Sequence, residues 1–286
     1  MNGRAVRAPA ALLGQSVRPM LDWATGILTA RGVKIVGAPE ETRRRAWSLL
    51  VRIPTDADPV WLKANSRACA HEGPLLQTLS RLRPGSVLEP LAVQADHGWL
   101  LSPDGGATAR DSEAAWTQLV RSYADLQLAM TDHIDELRAT GTPYLPPPQL
   151  ITVYRHFEPR LPGLGAAITE AATALAEFGR LSIEHNDLQP GNVFTGSSAG
   201  TGMLFDWGDA VLTHPFLSWH VLRGPHRTAY FDRWRQSGTV SDTEIALADR
   251  LAPLVALHPW RTIDASAPRF ARFLQGLLDD LRAGLR

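Results

Sequence analysis

H-N-D-L-Q-P-G-N at His185–Asn192, with D-W-G-D at Asp206–Asp209, is the most informative sequence in this chain of 286 residues. It places the carboxylate of Asp187 five residues before the amide of Asn192. Asp206 follows fourteen residues later, at the end of a short apolar run. Asp, Asn, Pro and Gly all favour turns, so each of these residues alone could belong to an ordinary turn. Their order and spacing together indicate a functional loop.

These residue types suit transfer of the γ-phosphoryl group of ATP to a hydroxyl. That reaction requires Mg²⁺ on the phosphates and a nucleophile aimed at them. Asn192 and Asp206 offer the hard oxygen ligands that Mg²⁺ prefers. Asp187, kept off the metal, can orient the acceptor hydroxyl and take its proton. The sequence therefore predicts Asp187 as the catalytic base and Asn192 and Asp206 as the metal ligands.

In these residues the chain resembles the aminoglycoside phosphotransferase and choline kinase-like superfamily of small-molecule kinases, whose loop is most often H-G-D-L-H-x-x-N. Asn186 stands where glycine is usual, and Gln189 where the second histidine is usual. The resemblance extends from about residue 18 to the C-terminus, but only residues 185–210 are specific. It implies ATP and Mg²⁺ as cofactors and a hydroxyl on a small molecule, such as an antibiotic, sugar or amino alcohol, as acceptor.

The resemblance also implies the fold. We expect an α+β, protein kinase-like bilobal fold, with a small mixed N-lobe built on an antiparallel sheet and a larger, mostly helical C-lobe. The expected boundary divides the chain into 1–104 and 105–286, with the ATP site between the lobes.

Lysine is scarce in this chain: of 29 basic residues only Lys34 and Lys63 are lysines. Lys63 follows the strand-like run Pro59–Leu62, the position at which kinases carry the lysine that holds the α- and β-phosphates. Glu72, near the start of the next predicted helix, is its candidate ion-pair partner. The alternatives are a surface lysine on an edge strand, and a glutamate that merely favours the positive end of a helix.

No glycine-rich loop precedes Lys63. The connection Gly37–Ser48 instead carries Arg43, Arg44 and Arg45. These guanidinium groups could reach phosphate oxygens or lie solvated on a turn, and we expect the solvated arrangement.

The hydrophobic pattern predicts strands and two helices before residue 104 and mainly helices after it. The strands are Trp47–Ile53, Val60–Lys63, Val87–Val93 and Gly98–Leu101, and the helices are Pro19–Arg31 and Ser66–Leu82. The turn-rich segment Ser102–Gly106 then forms a hinge. In the fold that the resemblance implies, such a hinge offers its backbone to adenine. Leu101, Ser102 and Asp104 are the expected nucleotide contacts; an ordinary loop is the alternative.

After the hinge, a long helix is predicted over Asp111–Arg138, with Ser112 as its N-cap. Further helices are predicted at Ala166–Gly179, Phe216–Leu222, Tyr230–Ser237, Thr243–Leu257 and Arg269–Leu285.

Several residues near the motif have two interpretations. His185 is expected to brace the loop backbone rather than to transfer protons. Asp209 could contact metal-bound water, or form a salt bridge or helix N-terminal contact. Trp219, Trp234 and Trp260 could stack on a substrate, although core packing is commoner for tryptophan at helical spacing.

The acceptor is not specified by the sequence. From His214 to Arg286 ten arginines stand against seven acidic residues, which is unfavourable for a polycation. A few carboxylates aimed into the cleft would still suffice, with Asp232, Asp242 and Glu244 as candidates.

Composition indicates a soluble enzyme. The apolar content of 44% is enough for two modest cores, and the formal net charge of zero gives no reason to expect nucleic acid or a membrane surface as partner. The single cysteine, Cys69, excludes an internal disulfide, so a cytoplasmic location is the default. Nothing indicates the oligomeric state.

A second class of function is left open. The missing glycine-rich loop and the altered residues Asn186 and Gln189 also fit a catalytically weak, pseudokinase-like module that binds a nucleotide for regulation. Protein kinase activity is a weaker possibility, because no A-P-E segment follows Asp206.

Overall fold

An antiparallel sheet of five strands forms the smaller lobe of the computed structural model, which describes residues 12–109, 113–195, 202–224, 226–263 and 267–285. Its strand order is β1-β2-β3-β5-β4. The strands are β1 Glu40–Arg44, β2 Ser48–Ile53, β3 Val60–Asn65, β4 Ala92–Gln94 and β5 Trp99–Pro103.

Helix α1, Arg18–Ala30, covers one face of this sheet. Met20, Ala24 and Leu28 lie at helical spacing and pack against alternate strand residues such as Val51 and Leu62. Because successive side chains of a strand point to opposite faces, Lys63 faces away from this core, toward the next helix. The apolar pattern of β3 thus places the lysine on the inner side of the lobe.

Helix α2, Glu72–Leu82, covers the other face. Its buried residues Leu75, Leu76 and Leu79 join the core of the larger lobe rather than that of α1. The helix predicted from Ser66 begins only at Glu72, because a short 3₁₀ turn, Arg67–Cys69, comes first. The core is therefore continuous from α2 into the larger lobe, and the division of the chain at residue 104 stays a prediction.

The larger lobe is mostly helical, as predicted. Its helices are α3 Glu113–Met130, α4 Ile134–Ala139, α5 Leu150–Phe157, α6 Gly165–Ala176, α7 Trp219–Leu222, α8 Arg227–Ser237, α9 Asp242–Leu257 and α10 Pro268–Gly284. Helix α9 is buried around most of its circumference from Leu251 to Leu257, which makes it the centre of the lobe. None of the helices in the described ranges is long and apolar enough to cross a membrane.

Two small antiparallel ribbons position the motif residues. Strand β6, Ser182–Glu184, pairs with β9, Val211–Thr213, and β7, Val193–Phe194, pairs with β8, Met203–Leu204. The segment 185–192 connects β6 to β7, and the segment 205–210 connects β8 to β9. The two parts of the motif are therefore held side by side by paired strands.

Other parts of the predicted pattern are also wrong. The connection 37–48 contains strand β1, and a helix, α5, lies where none was predicted. Only Ala92–Gln94 forms the strand expected at Val87–Val93; Val87 makes an isolated bridge to Leu204. The long helix stops at Met130, because the Thr131 hydroxyl donates to the carbonyl of Leu128 and a 3₁₀ turn follows. The expected cap, Ser112, lies outside the described residues together with Asp111.

Candidate active site

The loop between β6 and β7 passes through a left-handed backbone conformation at Asn186, where φ is 62°. Asn is among the few residues other than glycine that adopt this conformation at low cost. Its side-chain Nδ2 also donates to the carbonyl of Val255 in α9, at 3.0 Å. Asn186, which stands where glycine is usual, therefore keeps the left-handed turn and bonds it to α9.

His185 braces the same turn, as the sequence indicated. Its Nδ1 accepts from the amide of Asp187 at 3.3 Å, and its Nε2 donates to the carbonyl of Phe205 at 2.9 Å. Burial is the main cause that lowers the pKa of His185, which favours the neutral ring that these two bonds require. The imidazole thus ties the loop to the segment before Asp206.

Asp187 is held by two amide side chains. Gln189 Nε2 lies 3.0 and 3.1 Å from the two carboxylate oxygens. Asn192 Nδ2 donates to Asp187 Oδ2 at 2.8 Å and to its carbonyl at 2.9 Å. Burial raises the pKa of Asp187 above the ordinary value, although these donors oppose the shift. The carboxylate faces the cleft between the lobes in a fixed orientation.

His220, at the start of α7, was missed by the sequence reasoning. Its Nε2 lies 3.8 Å from Asp187 Oδ1, and its ring lines the cleft. Burial lowers the pKa of His220 to about 4, although a hydrogen bond to the Asn186 backbone opposes the shift, so the ring is neutral near pH 7. It stands 33 residues after Asp187, and no local pattern marks it.

Lys63 lies between two carboxylates. Its Nζ is 2.9 and 2.7 Å from the two oxygens of Glu72, and 2.5 Å from Asp206 Oδ1. Burial lowers the pKa of Lys63, but the carboxylates of Asp206 and Glu72 outweigh it, and the pKa is raised overall. The ammonium therefore stays charged in a site where it is 8% exposed.

Glu72 joins the lobes. Besides Lys63, it accepts from Asn65 Nδ2 at 2.7 Å and from the backbone amide of Trp207 at 3.1 Å. Its carboxylate is thus bonded to strand β3 and to the segment after Asp206, so Lys63 has a defined position relative to that aspartate.

Asp206 also has a left-handed backbone, with φ of 64°. Burial raises its pKa, but Lys63, mainly by its charge and then by its hydrogen bond, lowers it more, so the carboxylate is ionised. Among the residues that the structure describes, its Oδ2 has only the distant Arg43 Nη2 as a partner, at 3.9 Å. Asn192 donates its Nδ2 to Asp187. The Oδ1 of the same amide has no protein partner among the described contacts. One hard oxygen from each residue is available, which fits Mg²⁺.

Within the described part of the chain, no group of three or more His, Cys, Asp or Glu side chains is arranged to hold a metal by itself. An ion held by Asn192 and Asp206 would need its remaining ligands from phosphate and water. That sharing is characteristic of Mg²⁺ at nucleotide sites.

The predicted hinge residues are not brought into this cleft. Leu101 is in the core of the small lobe and Ser102 is buried. Asp104 Oδ2 accepts from Trp61 Nε1 at 3.3 Å, and its Oδ1 accepts from the amide of Gly106 at 2.8 Å. Their role in nucleotide binding stays a prediction.

The cleft itself encloses about 430 Å³. Arg43 and Arg45 line it, and Arg43 is exposed there, as expected of a solvated side chain. The solvated arrangement that we expected is wrong for Arg44, whose side chain is bonded within the protein. Strand alternation is the reason: Arg43 and Arg45 point to one side, whereas Arg44 points to the other. There Arg44 pairs with Glu41 at 2.6 Å and donates to the carbonyls of Leu12 and Gln15.

The acids proposed to reach the acceptor lie elsewhere. Glu244 is buried beside Arg180 and His214, at 2.6 and 3.1 Å. Asp232 and Asp242 are exposed and lie 3.4 and 3.6 Å from Arg235. None of the three lines the cleft, because the helices that carry them turn these positions to the far side of the lobe.

Asp209 and Trp260 do line the cleft. Asp209 forms no salt bridge within the described residues; burial first, and then the charges of Asp187 and Asp206, raise its pKa to about 7. Of the other tryptophans, Trp234 is in the core, and Trp219 donates to Asp280 at 3.0 Å.

The buried carboxylate of Glu184, which the sequence reasoning missed, supports the loop 185–192 through hydrogen bonds. Glu184 accepts from the Tyr123 hydroxyl at 2.8 Å, from the Ser218 hydroxyl and the Asn186 amide at 3.0 Å, and from Gln127 at 3.3 Å. Burial raises the pKa of Glu184 to about 7 against these donors. An ionisable residue directly before the motif, next to Ile183 in a short strand, was the available signal.

A small antiparallel lobe with a buried Lys–Glu pair, facing a helical lobe with an H-x-D-x-x-x-x-N loop, defines a kinase-like phosphotransferase fold. The chain belongs to the phosphotransferase enzyme family (APH), which its sequence matches over residues 40–217. The predicted family and fold class are thereby confirmed, and the chain is a small-molecule phosphotransferase by class.

Solved structures agree in fold. The choline kinase LicA from Streptococcus pneumoniae aligns with a TM-score of 0.63 at 13% identity, covering 93% of this chain and 99% of that one. The GDP and kanamycin complex of APH(2")-IIia gives 0.64 at 14%, covering 92% and 99%. Spectinomycin phosphotransferase, in complex with ADP and spectinomycin, gives 0.51 at 11%, covering 91% and 97%. No curated protein sequence matches the chain.

Proposed function

We propose that the protein is an ATP- and Mg²⁺-dependent phosphotransferase that transfers the γ-phosphoryl group to a hydroxyl of a small molecule. The observation that carries this proposal is that Lys63, Asp187 and Asp206 line one cleft, with Asn192 bonded to Asp187 and Glu72 paired with Lys63. Each group has the chemistry that phosphoryl transfer requires at that place.

Lys63 would contact the α- and β-phosphates, because Glu72 holds its ammonium in the wall of the cleft. Asn192 Oδ1 and Asp206 would hold Mg²⁺, which when bound neutralises charge on the phosphates. Leu101, Ser102 and Asp104 remain the proposed adenine contacts. Related structures contain GDP or ADP, which supports nucleotide use here. ATP is abundant in the cytoplasm, the location we propose.

Asp187 would act on the acceptor. Its carboxylate, fixed by Gln189 and Asn192, accepts a hydrogen bond from the acceptor hydroxyl and so aims the oxygen at the γ-phosphorus. As the new O–P bond forms, the bond between the γ-phosphorus and the bridging oxygen breaks and ADP leaves. The hydroxyl proton passes to Asp187.

The two residues that differ from the usual H-G-D-L-H-x-x-N loop are also compatible with catalysis. Asn186 keeps the left-handed turn, and Gln189 supplies donors to the base. These contacts support an active enzyme over a module that only binds the nucleotide.

The test is ADP formation by the purified full-length chain with Mg·ATP and a panel of hydroxylated antibiotics, sugars and amino alcohols. Asp187→Asn should bind Mg·ATP nearly as well as the wild type but lose about 10²-fold or more of the turnover. Asp206→Asn should weaken Mg·ATP binding and turnover together. Asp232→Asn, an exposed change away from the cleft, is the matched control and should match the wild type.

Turnover by Asp187→Asn at the wild-type rate would exclude the assigned base. Tight Mg·ATP binding with no turnover on any acceptor would instead support the nucleotide-binding regulatory module.

A further inference from the structure

Aromatic side chains from both lobes form the cleft wall beyond Asp187. We propose that the acceptor, given the phosphotransferase function proposed above, is a hydroxyl compound with an apolar ring face and no surplus of positive charge. We call Trp47, Trp260, Phe270 and Phe273 the aromatic wall; all four line the cleft that contains Asp187.

The aromatic wall is built from distant parts of the chain. Trp47 comes from the turn between β1 and β2, and its ring centroid lies 5.6 Å from that of Phe270 at an interplanar angle of 68°. Trp260 lies 5.5 Å from Phe270 and 5.7 Å from Phe273. Phe270 and Phe273 are three residues apart on α10 and so share a helix face.

The rings of the aromatic wall are only partly buried. Pro259 and Ile263 extend the apolar surface. A flat apolar face on the acceptor would cover this surface and remove it from water, while its hydroxyl reached Asp187.

The charges along the cleft disfavour a polyamine. Among the described residues, the acids that line the cleft are Asp187, Asp206 and Asp209. The first is occupied by two amide donors, and the second by Lys63. That leaves Asp209 as the one cleft acid without such a partner in the described chain, whereas polycation binding needs several.

The arginines of the cleft also disfavour a cationic acceptor. Arg45 and Arg269 line the cleft, and neither has an acidic partner within 4 Å in the part of the chain that the structure describes. Arg269 places its guanidinium 4.4 Å from the centre of the Phe270 ring. The ring face that could bind a ligand ammonium by a cation–π contact is thus already occupied by a cation of the protein. The positive charges of Arg45 and Arg269 at the cleft also disfavour a quaternary amino alcohol.

The experiment measures kcat/KM of the full-length enzyme with Mg·ATP for three sets of acceptors: neutral or anionic ring alcohols such as nucleosides and phenolic glycosides, polyamine aminocyclitols, and choline. The ring alcohols should exceed both other sets by about tenfold or more, the scale of one apolar pocket contact. Trp260→Ala should raise KM for the ring alcohol about tenfold with the KM for ATP unchanged. Phe178→Ala, an exposed aromatic change two residues after the end of α6 and outside the cleft, is the control.

Arg269→Glu provides a second variant, because the side chain is exposed and lies in the first turn of α10, where an acidic residue is favourable. It should shift the preference toward amines by several-fold without changing the KM for ATP. A wild-type preference for polyamines or choline, or an Arg269→Glu variant with unchanged selectivity, would overturn this acceptor class while leaving the phosphotransferase intact. Absence of Mg·ATP-dependent turnover with all three sets would overturn the phosphotransferase function itself.

Discussion

Gln189 donates to both carboxylate oxygens of Asp187, at 3.0 and 3.1 Å, from two residues further along the same loop. The amide has no titratable proton near neutral pH, so it fixes the carboxylate without adding charge. A histidine at this position would donate in a manner that depends on its tautomer and protonation state.

Gln189→Ala should therefore reduce kcat about tenfold, because a hydrogen bond to a charged group contributes about 1.5–3 kcal/mol and Asn192 still holds the base. The KM for ATP should change little. Steady-state kinetics check this, with the exposed Gln149→Ala as the matched control. An unchanged kcat would mean that Asn192 alone orients Asp187.

Lys63→Arg should be damaging in a chain that otherwise uses arginine almost throughout. The ammonium fits among three carboxylate oxygens at 2.5–2.9 Å, and a planar guanidinium is too broad for that space. We expect kcat/KM for ATP to fall about 10²-fold or more, and stability to fall by about 1–3 kcal/mol from overpacking.

Lys34→Arg, at the only other lysine of the chain and on the surface, is the matched control for that substitution. Kinetics and urea unfolding should leave it at the wild-type values. Equal behaviour of the two arginine variants would show that Lys63 has no special role.

Glu184→Gln should change how stability depends on pH. Below pH 4.5 the carboxyl is protonated in both the folded and the unfolded chain. Between pH 4.5 and about 7 only the unfolded chain releases the proton, so the wild type loses stability as the pH rises through this window. The loss is at most about 3 kcal/mol, and the glutamine variant avoids it.

Urea unfolding of both proteins between pH 4 and 8 checks this difference. Tyr123 and Tyr230, which face Glu184, stay neutral in that range because burial raises the pKa of both hydroxyls. The pH dependence of the buried histidines is common to both proteins and cancels in the difference. Parallel stability curves would show that folding does not raise the pKa of Glu184.

The sequence predicted what is encoded locally. Lys63 could be assigned because an apolar strand precedes it, and Glu72 because it begins an amphipathic helix; the structure places the two within 2.9 Å. The helical character of the C-lobe was equally visible from periodicity. Strand β1 was missed because its residues, Glu40–Arg44, are polar and largely exposed, so no apolar alternation marks them.

Tertiary contacts could not be predicted in this way. His220 reaches Asp187 only because α7 follows β9 beside the loop, and Arg43 reaches the cleft only through the pairing of β1 with β2. The aromatic wall joins Trp47 to Phe270 over more than 200 residues of sequence. Such contacts depend on packing of the whole chain rather than on local propensity.

Asn186 provides a test of the left-handed turn. Asn186→Ala should lose about 2 kcal/mol, from the strain of φ near 62° and from the bond to Val255. Asn186→Gly should lose only about 1 kcal/mol, because glycine adopts this φ freely but cannot make that bond. Urea unfolding near pH 7 should rank the proteins Asn, Gly, Ala in falling stability, with kcat best retained by the glycine variant. If alanine proved as stable as glycine, backbone strain would not be the reason for asparagine here, and the bond to α9 alone would explain it.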